Sequence, residues 1–290
     1  MDDDATPASA RWARSFGPVA DAYERGRPGY SPDAARWLVG RDAASVLELG
    51  AGTGKLTAEL VALGHDVHAT DPDAKMLAVL GQRVPQARTS VASAEELPAG
   101  ERSVDVVIAA QAFHWFDHEV ALPEIARVLK PGGALALVWN HRDARIPWVR
   151  RLGALIGTQD QLTDPTEVLA ASGLFEPPES ETSMYWQDIN RDTLVDLVSS
   201  RSNIAVLDDA TREAKLAEVV AFYDDFGRGY DGMVLPYVTS CYRARVVDRS
   251  AGRPDDDRTD DRADEAGAGP ERPTHRNDGS DTDMLLIDFR

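Results

Sequence analysis

The residues with the most chemical promise lie in one short stretch, VLELGAGTGKLT, from Val46 to Thr57. Glu48 is followed by Gly50, Gly52 and Gly54 at every second position, and then by Lys55. Glycines so spaced let backbone approach a ligand closely, because they carry no Cβ and accept left-handed conformations. Three ligand classes compete for such a loop. A triphosphate loop needs a glycine five residues before its last one and a Ser or Thr after the lysine. Leu49 and Leu56 stand there, so no hydroxyl is available for magnesium, and ATP is excluded. A dinucleotide loop, G-x-G-x-x-G, fits Gly50 and Gly52 but meets Lys55 at its third glycine. The Glu48 carboxylate would also oppose a pyrophosphate laid on the following helix, and no tyrosine has a lysine four positions on, as a short-chain reductase requires. The third class is a cationic ligand without phosphate, for which a nearby carboxylate is favourable.

Other candidate groups are spread along the chain. Asp71 ends the segment DVHATD, 23 positions after Glu48. A carboxylate there can accept both hydroxyls of a ribose; NAD enzymes use the same device, and Asp71-Pro72 also reads as a turn. The segment DVVIAAQAFHWFD, residues 105–117, presents Gln111, Phe113, His114 and Trp115. His114 has an ordinary pKa of about 6.5, suited to moving a proton at neutral pH, and reads equally as a packed histidine. His114 and His118 have the i, i+4 spacing of helical zinc ligands, but Trp115 replaces the glutamate of H-E-x-x-H, so no metal is expected. Asn140, His141, Arg142 and Asp143 follow an apolar run and would rim a pocket at its end; Arg142 either holds a carboxylate or forms a surface pair with an aspartate. His65 and His68 read as structural. Cys241, the single cysteine, excludes an internal disulfide or a multi-cysteine metal site and reads as strand filler.

These groups need a scaffold, and the apolar pattern supplies one. SVLEL, DVHAT, VDVVIAA and ALALVW are short and mostly continuous apolar runs, as in strands covered on both faces. Leu56, Leu60 and Leu63 repeat at helical spacing, as do Leu122, Ile125 and Leu129, with LKPGG predicted to stop the second helix. Alternation of this kind predicts a doubly wound α/β domain. Farther on, PTEVLAASGLF, RDTLVDLVSS and REAKLAEVVAFYDDF read as helices and TSMYWQDI as a strand. MVLPYVTSCYRARV reads as one or two last strands, with Pro236 pointing to an edge or a bulge. Trp148, Tyr185, Trp186, Phe222 and Tyr223 read as core.

Composition narrows the partners. The 290 residues carry a net charge of −18 and a hydrophobic fraction of 43%. Residues 251–290 hold twelve acidic and six basic side chains, so residues 1–250 still carry −12. An acidic body disfavours nucleic acid. No apolar run approaches the roughly 20 residues of a membrane helix, and the N-terminus MDDDATPASA lacks signal-peptide character; no membrane insertion and a cytoplasmic location are expected.

The segment LELGAGTG resembles the E/D-x-G-x-G-x-G motif of class I S-adenosylmethionine (SAM) dependent methyltransferases, and the chain is similar to type-11-like small-molecule members over about residues 12–246. The resemblance implies a doubly wound, mostly parallel seven-stranded sheet with helices on both faces. It implies that Glu48, Gly50, Ala51 and Gly52 line the methionine portion of SAM, that Asp71 and Pro72 meet the ribose, and that Met76 lies against the adenine. VASAEELP, residues 91–98, is similar to the family's D-A-E-x-L-P segment through Ala94, Glu95, Leu97 and Pro98. Ser93 replaces the aspartate, which leaves the adenine contact to Glu95 or backbone. Gln111 and His114 fall at the active-site end of the fourth strand. SFGPVADAYERGRPGY, residues 15–30, resembles a lid in which Tyr23 and Arg27 approach the cofactor's carboxylate. The implied organisation is a disordered N-terminus over 1–10, a methyltransferase domain over 11–247 and an acidic disordered tail over 248–290. Within the domain, 11–43 forms lid helices, 44–140 the cofactor core and 141–247 the acceptor-side elements and last strands. The segment after strand four lacks the [D/N]-P-P-[Y/F/W] of base-amine methylation, and Cys241 lies far from any cytosine-C5 nucleophile position. The implied activity is methyl transfer to a small molecule; a non-catalytic SAM-binding or scaffold protein and an NAD(P)-dependent oxidoreductase are the alternatives.

Overall fold

Seven strands form one sheet in the order β3-β2-β1-β4-β5-β7-β6. The computed structural model describes residues 20–157, 164–226 and 233–247. The expected disorder at 1–10 and the expected tail over 248–290 lie outside these residues, as does the start of the lid. The chain divides into two units, Met1–Arg249 and Ser250–Arg290, and all described residues belong to the first.

Strands β1 (Ser45–Leu49), β2 (Asp66–Asp71), β3 (Arg88–Val91), β4 (Val104–Ala110) and β5 (Leu129–Arg142) pair in parallel, while β7 (Met233–Arg245) runs antiparallel between β5 and β6 (Glu179–Ile189). Side chains alternate across a strand, so Leu47, Leu49, Val107 and Ala109 enter one apolar cluster and Val46, Val106 and Ile108 another. The sheet is thus covered on both faces, as the continuous apolar runs predict. A third cluster joins β6 and β7 to helices α6 (Pro147–Ile156), α8 (Arg191–Ser199) and α10 (Asp209–Phe226).

Helices start where short polar side chains cap them. Ser31 opens α2 (Pro32–Val39), Asp73 opens α4 (Ala74–Arg83), and Asp117 opens α5 (His118–Val128). Asp164 opens α7 (Pro165–Ser172), which ends at left-handed Gly173, and Asn190 closes a capping box at α8. The helix α3 (Lys55–Ala62) instead begins from left-handed Gly54 without a side-chain cap. The remaining α-helices among the described residues are α1 (Ala20–Gly26) and the single turn α9 (Ser202–Ala205).

LKPGG follows the end of a helix as expected: α5 ends at Val128, Leu129 already pairs with Val104, and the register then jumps to Val106 with Ala134, so residues 130–133 are the irregular part of β5. Two expectations need correction. Pro236 sits in an interior strand rather than at an edge. The β5–β7 ladder stops at Arg142 and Tyr237, and the Pro236 carbonyl accepts from the Asp143 amide. Its backbone polar side therefore faces the ladder's end, where a missing N–H costs no sheet hydrogen bond. Trp186 is not core: it lies on edge strand β6 and is 57% exposed.

Candidate functional site

The sheet reverses its winding between β1 and β4, and a doubly wound sheet leaves a crevice outside the carboxyl ends of its strands at that point. A narrow cavity, partly open to solvent, lies there. Its lining combines the end of β1 (Glu48, Gly50, Ala51), the end of β4 (Ala110, Gln111), the α1 region (Tyr23, Arg27) and, from later in the chain, Arg142, Arg201 and Tyr237.

Glu48 is the one charged residue of β1, flanked by Leu47 and Leu49, and it is 1% exposed. Thr57, on the first turn of α3, donates to its carboxylate at 2.6 Å. Burial pushes the Glu48 pKa up to about 8; the Thr57 hydrogen bond lowers it and the nearby Asp71 raises it. A carboxylate that resists ionisation at the wall of a cavity is poised for a cation, which would favour its charged form.

The loop itself is built for close approach. Gly50, Gly52 and Gly54 all have positive φ, and a Cβ at Gly50 would stand 2.6 Å from Ala112 Cβ. A Cβ at Gly52 would point toward the Tyr23 ring at 3.8 Å. Gly50 needs glycine for backbone reasons as well as for space, and Gly52 for backbone reasons alone. Gln111 is also left-handed, with φ 57°; it is fixed by its backbone N–H, which donates to the Val138 carbonyl at 2.9 Å, and by its side chain, which donates to the Asn140 carbonyl at 3.0 Å. Strain of this kind collects at binding sites.

Asp71 is 8% exposed and braces the loop from behind. One carboxylate oxygen accepts from the Gly52 amide at 2.9 Å and the other from the Asp73 amide at 2.8 Å. Burial raises its pKa, and those two amides pull it down. Each oxygen keeps a further lone pair, so the carboxylate can hold the loop and still accept from a ligand.

Helix α1 is fastened on two sides. Glu24 accepts from Thr53 at 2.5 Å and pairs with Lys55 at 3.2 Å and Arg83 at 2.9 Å, which ties α1 to the glycine loop. Arg25 pairs with Asp196, and Arg27 donates to the Ser200 hydroxyl at 2.9 Å and carbonyl at 3.1 Å. The Arg27 guanidinium also lies over the Tyr23 ring at 5.2 Å. The α1 region is therefore a bridge between the glycine loop and the end of α8.

Of the residues expected at the site, Tyr23, Arg27, Glu48, Gly50, Ala51 and Gln111 line the cavity. Gly52, Asp71 and Pro72 form the loop and strand end next to it. Met76 and Ala94 are buried, and Glu95 accepts from the Asp117 amide at the start of α5. These last three stand outside the cavity lining, as does His114, whose ring lies 4.7 Å from that of Trp115. His118 is turned to the Phe113 carbonyl at 2.9 Å and stacks on Phe113. Asp143 pairs with Arg145, not Arg142, while Arg142 is 9% exposed and donates to the Gly157 carbonyl. Cys241 is buried in β7 with its thiol pushed up to about 12 by burial, and His68 bonds Ser90 at 2.8 Å; both are structural. The sequence reading missed Thr57, Tyr30, Arg201 and Tyr237. Thr57 was open to inference, since it stands on the helix turn facing Glu48. Arg201 and Tyr237 lie in segments without any motif.

The glycine segment and the strands around it match the family described as a methyltransferase domain over residues 47–137. An uncharacterised methyltransferase of Mycobacterium tuberculosis is 44% identical over 237 residues, covering 80% of this chain and 96% of that protein. An uncharacterised methyltransferase of Schizosaccharomyces pombe is 36% identical over 216 residues, covering 70% of this chain and 85% of that protein. A solved structure from Anaeromyxobacter dehalogenans, assigned to the type II methyltransferases, is 27% identical with a TM-score of 0.59, covering 76% of this chain and 97% of that one. Together with the sheet order and the glycine loop, these similarities make the chain a member of the class I SAM-dependent methyltransferase family, and an enzyme of methyl transfer.

Proposed function

We propose that the protein binds SAM in this cavity and transfers its methyl group to a small-molecule acceptor by in-line displacement. The observation that carries the reading is Glu48, buried at the cavity wall beside a glycine loop that backbone geometry keeps open. SAM supplies an electrophile already activated as a sulfonium. The chain's task is to align an acceptor, hold it about 3 Å from the methyl carbon and exclude water. Gly50, Ala51 and Gly52 would pass backbone along the methionine portion, Glu48 would face its cationic end, and Asp71 would accept from the ribose. Tyr23, on the fastened α1, and Arg27, just after it, would close over the cofactor's carboxylate. Pro72, Met76, Ala94, Glu95 and Gln111 belong to the proposed cofactor surface, and His114 to the acceptor end as the proposed base. As the new bond forms to the acceptor's lone pair, the S–C bond breaks and its electrons neutralise the sulfonium. A base is required only where the acceptor carries a proton that must leave.

Calorimetric titration of the purified protein with SAM and with NADH tests the reading. SAM is expected to bind and NADH is not; NADH binding without SAM binding would overturn it. No described helix is long and apolar enough to cross a membrane, which is compatible with a dissolved acceptor.

A further inference from the structure

Two buried side-chain amides from distant strands reach the same short segment, Gly26 to Gly29. Gly26 is the last residue of α1, and its carbonyl is among those that a helix end leaves without an intrahelical partner. Gln187, on β6, donates to it through Nε2 at 2.8 Å. Three residues on, the Gly29 carbonyl accepts from Asn140 Nδ2, on β5, at 2.9 Å. Between the two carbonyls stand Arg27 and Pro28, both in the lining of the cavity.

Each amide is in turn aimed by a hydroxyl of β7. Tyr237 donates to Gln187 Oε1 at 3.1 Å and Thr239 to Asn140 Oδ1 at 2.6 Å. Residues two apart on a strand share a face, about 6.8 Å from one another, so one face of β7 serves both amides. The chemistry fixes the direction. A carbonyl only accepts, so the NH₂ end of each amide faces its glycine and the oxygen end receives the hydroxyl proton. Burial pushes the Tyr237 hydroxyl up to about 12, although Arg142, Arg27 and Arg201 lower it, so it keeps that proton at neutral pH.

All four side chains are buried. Burying an amide is unfavourable unless its hydrogen bonds are made, and apolar groups of similar size would fill the same volume. What the amides add is a fixed position for the backbone on either side of Arg27. Gly26 lies against the backbone of α8, where a Cβ would meet the Leu197 nitrogen at 2.1 Å. Arg27 then uses two of its donors on Ser200, just past α8. The Asn140 carbonyl accepts from the Gln111 side chain as well, so one residue braces both the segment and the left-handed turn after β4. We infer that the pairs Gln187–Tyr237 and Asn140–Thr239 are positioning residues, which hold Arg27 in the orientation that grips the cofactor's carboxylate. This inference rests on the proposed SAM site and extends it to β5, β6 and β7.

The test measures, on the full-length protein, calorimetric affinities for SAM and for decarboxylated SAM, which lacks only the carboxylate. Wild type is expected to prefer SAM at least tenfold. Thr239→Val and Tyr237→Phe each keep the shape and remove one hydroxyl; circular dichroism and melting curves check that they fold, and each pair is tested independently of the other. Each variant is expected to lose about five- to tenfold in SAM affinity while binding decarboxylated SAM within twofold of wild type. Thr239→Ser, which keeps a hydroxyl, is expected to bind SAM as wild type does. In an Arg27→Gln background neither substitution should weaken SAM binding further. Equal losses for the two ligands would make the pairs general supports of the fold, and unchanged SAM affinity would leave them without a role in binding; either result overturns the inference. So does a wild type that binds both ligands equally, or a loss that persists in full without Arg27. A wild type that binds neither ligand would overturn the SAM site itself and the inference with it, and the first titration separates that case from the others.

Discussion

On the acidic side of the cavity, Glu48 and the glycines come from a single run of seven residues, Glu48 to Gly54. On the basic side, Arg27, Arg142, Arg201 and Tyr237 come from four segments spread over most of the chain. The first side is a local device. A strand end, a turn and a helix start fix its geometry, and each demand leaves a mark on the neighbouring residue types. The second side exists only because β7 inserts between β5 and β6 and α1 is tied to α8. No spacing in the sequence encodes it.

This contrast explains what was legible. The parallel half of the sheet was readable because strands buried on both faces leave continuous apolar runs, and SVLEL and VDVVIAA form β1 and β4 as expected. Glu48 was readable because a charged residue inside such a run needs a reason. Pro236 misled because the rule against interior prolines concerns the N–H direction, and the end of the β5 ladder removes that constraint. Arg201, in SSRSN, carries no local signal; only the fold sets it beside Arg142. The lid's anchor, Glu24 between Thr53, Lys55 and Arg83, was likewise invisible, because its partners lie about 30 or more positions away.

The comparison can be broken first on the acidic side. Glu48→Gln is expected to weaken SAM binding about 10- to 100-fold, the cost of about 1.5–3 kcal/mol for a charge-assisted hydrogen bond; calorimetry reads this directly. The same substitution should stabilise the ligand-free protein at alkaline pH. The folded pKa of Glu48 lies above the ordinary glutamate range, at about 8, so the native state binds this proton more tightly than the unfolded state does. Its contribution to stability is therefore greatest at acid pH and declines as pH rises from about 4.5 to about 8. Melting curves at pH 5 and pH 8.5 should show the variant gaining on wild type only at the higher pH. A variant that loses stability at both would mean that Glu48 is chiefly a packing element.

Gly50→Ala ranks next. Its Cβ would stand 2.6 Å from that of Ala112, at φ 66°. A cost of about 1–3 kcal/mol is expected, seen as a lower denaturation midpoint together with weaker SAM binding. Asp71→Asn should weaken SAM about tenfold. The asparagine keeps one acceptor oxygen but presents an NH₂ to one of the two amides that Asp71 now binds. Unchanged affinity would remove Asp71 from the ribose contact. The smallest effect is expected at His114, which lies outside the cavity lining. His114→Gln should leave SAM affinity within about twofold, about 0.4 kcal/mol, and lower turnover only for an acceptor that must lose a proton. A large loss of affinity would place the histidine at the cofactor instead.

The central claim is that a buried acid, neutral until a cation arrives, receives the methyl donor. Calorimetric titration with SAM from pH 6 to pH 9, in buffers of differing ionisation enthalpy, tests it most directly. Affinity should rise close to tenfold per pH unit below pH 7 and level off above about 8, with nearly one proton released per SAM bound at the acid end. Glu48→Gln should abolish both the slope and the proton release. SAM binding that is independent of pH and releases no proton in the wild-type protein would contradict the claim.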